Sequence, residues 1–307
     1  MKYFPRQLFI SSLLFLVSSA ALADPVKWYL QGVTMSDGGR AIGSFVYDSD
    51  TDQYTEIDIA TTAGENLAGS TYGDPNPDSA SDSTGLLTVS DGSAQPLTGQ
   101  PMLVLGFVEA LGNAGGTVAI DPVNSSFEGE CGRGAGGDMR ECGTIVIARD
   151  ITGGLVTSTR PGATLNAGMN GSWYNEETSG QGILIDVFAD IPLVFLAWFT
   201  FDVEPAPAGA TATIGDPNHR WLTGQGTFRG NEAVLDMTLT TGGLFNNPTE
   251  VTNSNHNSYG RIVLTYNPDC RTGTMEYEFF SQGLSGTIAI ERIVDSNVAL
   301  CLELDTQ

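Results

Sequence analysis

Lysine is almost missing from this chain: beyond the first 23 residues only Lys27 remains, ten arginines are scattered singly, and histidine occurs only at His219 and His256. Phosphate recognition needs clustered Lys and Arg, so nucleic acid is excluded as a partner, and an anionic membrane surface finds no polybasic patch. The two histidines show neither H-x-x-x-H nor paired-cysteine spacing, which removes a zinc motif, and no G-x-S-x-G elbow is present for a nucleophilic serine. Apolar stripes at helical spacing are absent. After residue 23 no apolar run approaches the roughly 20 residues of a membrane-spanning helix; the longest, Ile191 to Phe201, reads as a buried strand.

What is present begins with an export signal. Lys2 and Arg6 precede an apolar run from Leu8 to Val17, followed by small residues and Ala21-Leu22-Ala23. That order is a secretory signal peptide covering 1–23, which places the mature protein in the periplasm or outside the cell, where disulfides persist. With Lys2 and Arg6 removed from the 13 basic residues, 11 remain against 36 acidic ones, a formal charge of −25. Such a surface keeps a protein soluble, and much of the charge lies in Asp- and Pro-rich turns such as Asp74-Pro75-Asn76-Pro77-Asp78.

Alternation with period two, punctuated by Gly, Asn, Asp and Pro, recurs along the whole mature chain and predicts an all-β protein. Predicted strands cover Val26 to Met35, Arg40 to Asp48, Tyr54 to Thr61, Leu86 to Ser90, Met102 to Ala110, Thr117 to Asp121 and Gly143 to Asp150. They continue at Gly171 to Tyr174, Gly182 to Phe188, Leu193 to Asp202, Ala210 to Ile214, Arg220 to Phe228, Ala233 to Thr240, Gly260 to Tyr266, Gly273 to Phe280, Gly286 to Ile293 and Val298 to Leu304. Successive hairpins at this spacing form antiparallel meanders that close into barrels or fold into sandwiches.

Residues 157–168 (TSTRPGATLNAG) have the composition of a linker and divide the chain into modules at 24–156 and 169–307. The four cysteines fall two to each module, so independent modules require Cys131 with Cys142, around a Gly-rich loop, and Cys270 with Cys301. A repeat supports two modules of one type. Lys27-Trp28-Tyr29 and Ser172-Trp173-Tyr174 open them, and Gly-Thr-Ile-x-Ile-x-Arg closes them at Gly143 to Arg149 and Gly286 to Arg292. In a closed meander the first and last strands are neighbours, which predicts Arg149 over Trp28 and Arg292 over Trp173 in cation–π contact.

Gly171-Ser172-Trp173-Tyr174-Asn175, then Ser179-Gly180-Gln181-Gly182, Ala197 to Asp202 and Trp221 to Gly226 resemble a domain of uncharacterised exported proteobacterial proteins that opens G-x-W-Y-N-P-x-x-S-G-x-G. Glu176 stands where that family mostly has Pro, and the resemblance implies no catalytic residue. In the first module Val33 to Gly39 and Gly43 to Asp48 resemble the small domain of PEP-CTERM-type exported proteins, whose Pro-Glu-Pro, apolar helix and basic tail have no counterpart in Ala299 to Leu304. The G-x-W opening and late Arg are similar to lipocalin and avidin barrels, which implies a lipocalin- or avidin-like barrel as one form of the fold.

Three sets of residues stand out as sites. Trp173, Trp198 and Trp221, on strands rich in Gly and Thr, are candidates for a ligand pocket inside a barrel, with core filling as their other reading. Asp48, Asp50 and Asp52 alternate as in a calcium loop, but Gln53 and Ile59 occupy the places of its Gly and bidentate Glu, and a hairpin turn accounts for the segment as well. No cofactor other than calcium is indicated. The cysteines lack dithiol spacing and read as staples. The function that follows is an exported, non-catalytic binding or surface-interaction protein whose partner is a protein, a glycan or a small apolar ligand. The second reading is a lipocalin-like carrier of a small apolar ligand in the C-terminal barrel, and the third a secreted hydrolase. No regularly spaced row of exposed aromatics is legible for carbohydrate.

Overall fold

The computed structural model describes residues 23–73, 81–90, 99–122, 126–133, 142–254 and 259–305, without the side chains at 131, 133, 142–148 and 254. The segment before residue 23 that reads as a signal peptide and the expected cross-link of Cys131 to Cys142 lie outside this description. No helix among the described residues is long and apolar enough to cross a membrane.

The protein is all-β and consists of two antiparallel sheets. The first contains β1 (Val26–Met35), β2 (Arg40–Asp48), β3 (Gln53–Thr61), β4 (Thr71–Gly73), β5 (Gly85–Val89), β6 (Pro101–Gly106), β7 (Thr117–Ala119), β8 (Phe127–Arg133) and β9 (Cys142–Thr157). Its order is β4-β3-β2-β1-β9-β8-β6-β5, with β7 also on β9, and because β4 and β5 adjoin without a ladder between them the sheet is a nearly closed barrel.

The second contains β10 (Gly171–Tyr174), β11 (Gly182–Phe188), β12 (Leu193–Phe201), β13 (His219–Arg229), β14 (Glu232–Thr241), β15 (Thr252–Ser254), β16 (Gly260–Tyr266), β17 (Thr272–Phe279) and β18 (Leu284–Arg292). Pairing of β13 with β14 and of β10 with β18 closes eight of these strands into a complete barrel, with β15 extending β14. Closure leaves the three-residue β15 as the free edge among the described residues of this sheet. Where β13 crosses β14, Gly226 makes the close approach possible, since a Cβ there would meet the Val234 carbonyl oxygen at 1.8 Å.

Alternation along each strand explains the core. On β11, Ile183, Ile185 and Val187 face inward and are buried between exposed Leu184, Asp186 and Phe188. Two predicted strands differ. Ala210 to Ile214 lies in the loop from Asp202 to Asn218, because its alternating small residues have no inward face to bury. Val298 to Leu304 lies in a helix, α1 (Val298–Asp305), where Ala, Leu and Glu outweigh the single β-branched residue. The segment read as a linker is built into the second barrel: the Ala163 and Leu165 N–H groups donate to the carbonyls of Tyr266 and Gly230, and both side chains are buried.

The two barrels touch. Ile42 and Ala60 of the first pack on Val234 and Val263 of the second, all buried. Around this apolar centre Arg229 meets Asp58 at 2.8 Å, Arg261 donates to the carbonyls of Gly38 and Ala63, and Arg40 lies 3.3 Å from Glu276 and 3.8 Å from Glu232. Burial pushes the Glu232 carboxyl up to about 7 from its ordinary 4.5; Arg40 opposes the rise and Glu276 adds to it. Because the folded-state value is raised, the Glu232 contribution is fully favourable below about pH 4.5 and is lost as pH climbs to about 7. Glu232→Gln should therefore change urea stability little at pH 5 and raise it at pH 8, by up to about 3 kcal/mol. A variant no more stable than the native protein at pH 8 contradicts this account.

Candidate functional site

The two ends of the second barrel differ. At one end the chain from 158 to 170 and α1 lie across the opening. There Arg292 lies over Trp173, its guanidinium carbon 4.4 Å from the ring centroid, as the pairing of Trp173 with Arg292 on neighbouring first and last strands requires. Arg292 donates to the carbonyls of Cys270 and Gly168, and the Trp173 indole N–H donates to the Met169 carbonyl at 3.0 Å. Desolvation lowers the Arg292 pKa from its ordinary value, since carbonyls and a ring face replace water without a carboxylate in contact. Cys270 and Cys301 are bonded, and the bond ties α1 to this end. Trp173 is fully buried and is part of this floor, not of a pocket.

In the first barrel the matching pair does not form. Strand β9 runs 16 residues, and its register with β1 sets Thr157 opposite Tyr29 and Ile151 opposite Met35. Trp28 and Arg149 are thus at opposite ends of β1. Arg149 instead binds Glu128 through Nε at 2.9 Å and Nη2 at 2.5 Å, and Asp37 through Nη1 at 3.2 Å, all three buried.

The other end of the second barrel is open. The segments 175–181, 202–218, 242–254 and 280–283, with Tyr259, surround it, and within it lies a cavity of about 460 Å³. Trp198, Leu222, Leu239, Phe279, Leu284 and Ile288 supply its apolar wall. These positions point inward by the same alternation that fills the core, but they sit at the strand ends, one layer beyond the packed floor. The rings form a cluster: Trp198 stacks on Phe279 at 6.0 Å, and Tyr259 and Tyr277 lie 5.2 and 5.5 Å from Phe279. Burial pushes the Tyr259 hydroxyl above its ordinary pKa; Asp202 adds to this and Arg220 opposes it. Polar groups are confined to the rim, where Thr200 donates to Gln181 and Arg220 pairs with Asp202 at 2.6 Å. Arg220 also donates to the carbonyls of Pro217 and His219.

Of the three candidate tryptophans, then, only Trp198 lines this cavity. Trp221 faces outward, because its neighbour Leu222 faces in, and is 54 % exposed. It pairs across strands with Phe199, and with Phe201 and Gly180 the two edge a shallow outer cleft of about 290 Å³. Phe195, Phe199 and Phe201 make an exposed row along β12 that the sequence reading missed; outward aromatics on a strand of continuous apolar character look like core.

Asp48, Asp50 and Asp52 serve the turn between β2 and β3. Asp48 accepts from the Asp50 N–H, the Thr51 hydroxyl and Asn113, and Asp52 accepts from the Tyr47 hydroxyl at 2.6 Å. Hydrogen bonds from Asn113 and Thr51 hold the Asp48 carboxyl below its ordinary pKa. Among the described residues no group of three or more His, Cys, Asp and Glu side chains could hold a metal ion. Comparison with protein-family models, with curated proteins and with solved structures finds no match for this chain.

Proposed function

We propose that the protein is an exported carrier that binds one small apolar molecule in the open end of its second barrel. The observation that carries this is the cavity of about 460 Å³ walled by Trp198, Leu222, Leu239, Phe279, Leu284 and Ile288. Its size falls in the range of about 300–1,000 Å³ usual for small-molecule sites, and the few polar groups at its rim would orient a ligand. An eight-stranded barrel has room for either a filled core or one small ligand, and here the floor is filled while the mouth is not. Export rests on the signal-like first 23 residues and agrees with the Cys270–Cys301 bond, which belongs to an oxidising compartment. Among the described residues Asp202 is the only carboxylate in the cavity wall, and it is paired with Arg220, so no pair of acids is in place among them for hydrolysis.

The uncharged fluorophore N-phenyl-1-naphthylamine should bind with one-site saturation and gain fluorescence. Leu239→Trp, which fills the cavity, should weaken it at least tenfold while leaving the melting temperature in place. No saturable binding, or equal binding by a well-folded Leu239→Trp, would overturn the reading. A surface-interaction role is the second reading, favoured by the exposed row of Phe195, Phe199, Phe201 and Trp221; binding that depends on Trp221 and not on Leu239 would select it.

A further inference from the structure

The charges around the mouth specify which apolar molecules it takes. The segments 175–181, 202–218, 242–254 and 280–283 carry Glu176, Glu177, Asp202, Glu204, Asp216 and Glu250, and no lysine or arginine. All six lie on exposed positions. The nearest cation, Arg220, is already held by Asp202 and by two backbone carbonyls. The cavity itself is the site, and these carboxylates set the sign of the field at its entrance. Low-dielectric walls focus that field into the opening. Inside, Trp198, Tyr277 and Phe279 line the cavity with aromatic rings, whose faces attract a cation and repel an anion. A fatty-acid carboxylate would meet six like charges, and Arg220, the cation of the cavity wall, already pairs with Asp202. An ammonium group at the same depth would meet those carboxylates from above and ring faces from below.

We infer that the physiological ligand is a cationic amphiphile, with an apolar body in the cavity and an amine or quaternary ammonium at the rim. This rests on the carrier reading and narrows it to one class of molecule. The test uses three C12 amphiphiles with the same tail, dodecyltrimethylammonium, dodecanol and dodecanoate, each below its micellar concentration at pH 7. Each is titrated against bound N-phenyl-1-naphthylamine.

The cation should displace the fluorophore at least tenfold more tightly than dodecanoate. That advantage should shrink as ionic strength rises from about 0.01 to about 0.3 M, because salt screens exposed charges. Neutralising the five carboxylates outside the cavity wall together (Glu176, Glu177, Glu204, Asp216 and Glu250), to Gln or Asn, should bring the cation and dodecanoate to within about threefold of each other while leaving dodecanol unchanged. Dodecanoate binding as tightly as the cation would overturn the inference and leave the carrier reading standing. Failure of all three to displace the bound fluorophore would overturn the inference alone, and failure of the fluorophore to bind at all would overturn both.

Discussion

Arg149→Met should be the most damaging single change in the first barrel, costing about 3–5 kcal/mol, the range for removing one partner of a buried ion pair. Among the described residues Arg149 is the only cation in contact with the buried carboxylates Glu128 and Asp37, whose remaining partners are unequal. Glu128 keeps the hydroxyls of Thr61 and Tyr72, at 2.7 and 2.5 Å. Asp37 keeps the backbone N–H groups of Gly39, Asn66 and Leu67. Burial pushes the Asp37 carboxyl up, but the Gly39 N–H and Arg149 together hold it below its ordinary value, so in the native protein its contribution is present above that value and lost in acid.

Without Arg149 both acids lose their counter-ion, and at Asp37 the upward push of burial is no longer offset by the guanidinium. The direction of the linkage then reverses, and the variant should lose most at pH 8 and less at pH 5. Adding Glu128→Gln to Arg149→Met should recover part of the loss, since a neutral amide needs no counter-ion. Urea unfolding at the two pH values reads all of this. A loss under 1 kcal/mol, or one independent of pH, would show that the cluster is not the electrostatic centre of this barrel.

That cluster also marks where sequence reading stops. Gly-Thr-Ile-x-Ile-x-Arg occurs in both modules and predicts the same role for both arginines, which holds for Arg292 and not for Arg149. Register decides the difference: Trp173 stands opposite Arg292, whereas Tyr29 stands opposite Thr157. Nothing local announces a β9 that extends past its Arg by eight residues. Strand β8, FEGECGR, was likewise missed, because its inward position at Glu128 is a charged residue and so breaks the apolar alternation that signals a strand.

In the second barrel the alternation was clean, and β10 to β14 and β16 to β18 could be read almost to the residue. The cavity could not. Leu222, Leu239, Leu284 and Ile288 have the chemistry of core residues, and only their position at the open ends of closed strands separates wall from filling. Trp198 was legible as a candidate, and Trp221 was drawn in with it because an indole on a strand carries no mark of which face it takes.

Reducing or deleting the Cys270–Cys301 bond should lower the stability of the second barrel by about 4 kcal/mol, the loop-entropy value for a separation of 31 residues. The bond does more than close a loop. Helix α1 is eight residues long, too short to persist in water by itself, and its position depends on what holds it. Cys301 fixes its middle, and Asp305 fixes its end by pairing with Arg160 at 2.5 Å and accepting from the Thr164 N–H at 2.7 Å. Gly168 allows the close contact beneath, since a Cβ there would meet the Cys301 backbone nitrogen at 2.3 Å. Cutting the bond leaves the Asp305 contacts, the Asn166 amide on the Cys301 carbonyl, the Asn297 amide on the Asn170 carbonyl and the burial of Val298 to keep the floor shut over Met169 and Trp173. The double variant Cys270→Ala/Cys301→Ala, which leaves no stray thiol, should therefore unfold at lower urea and expose α1 to hydrogen exchange first. The cavity lies at the opposite end of the barrel, so folded molecules of the variant should bind N-phenyl-1-naphthylamine as the native protein does. A stability change below 1 kcal/mol would show that the floor stands without the bond, and a parallel loss of binding would show that floor and mouth are not independent.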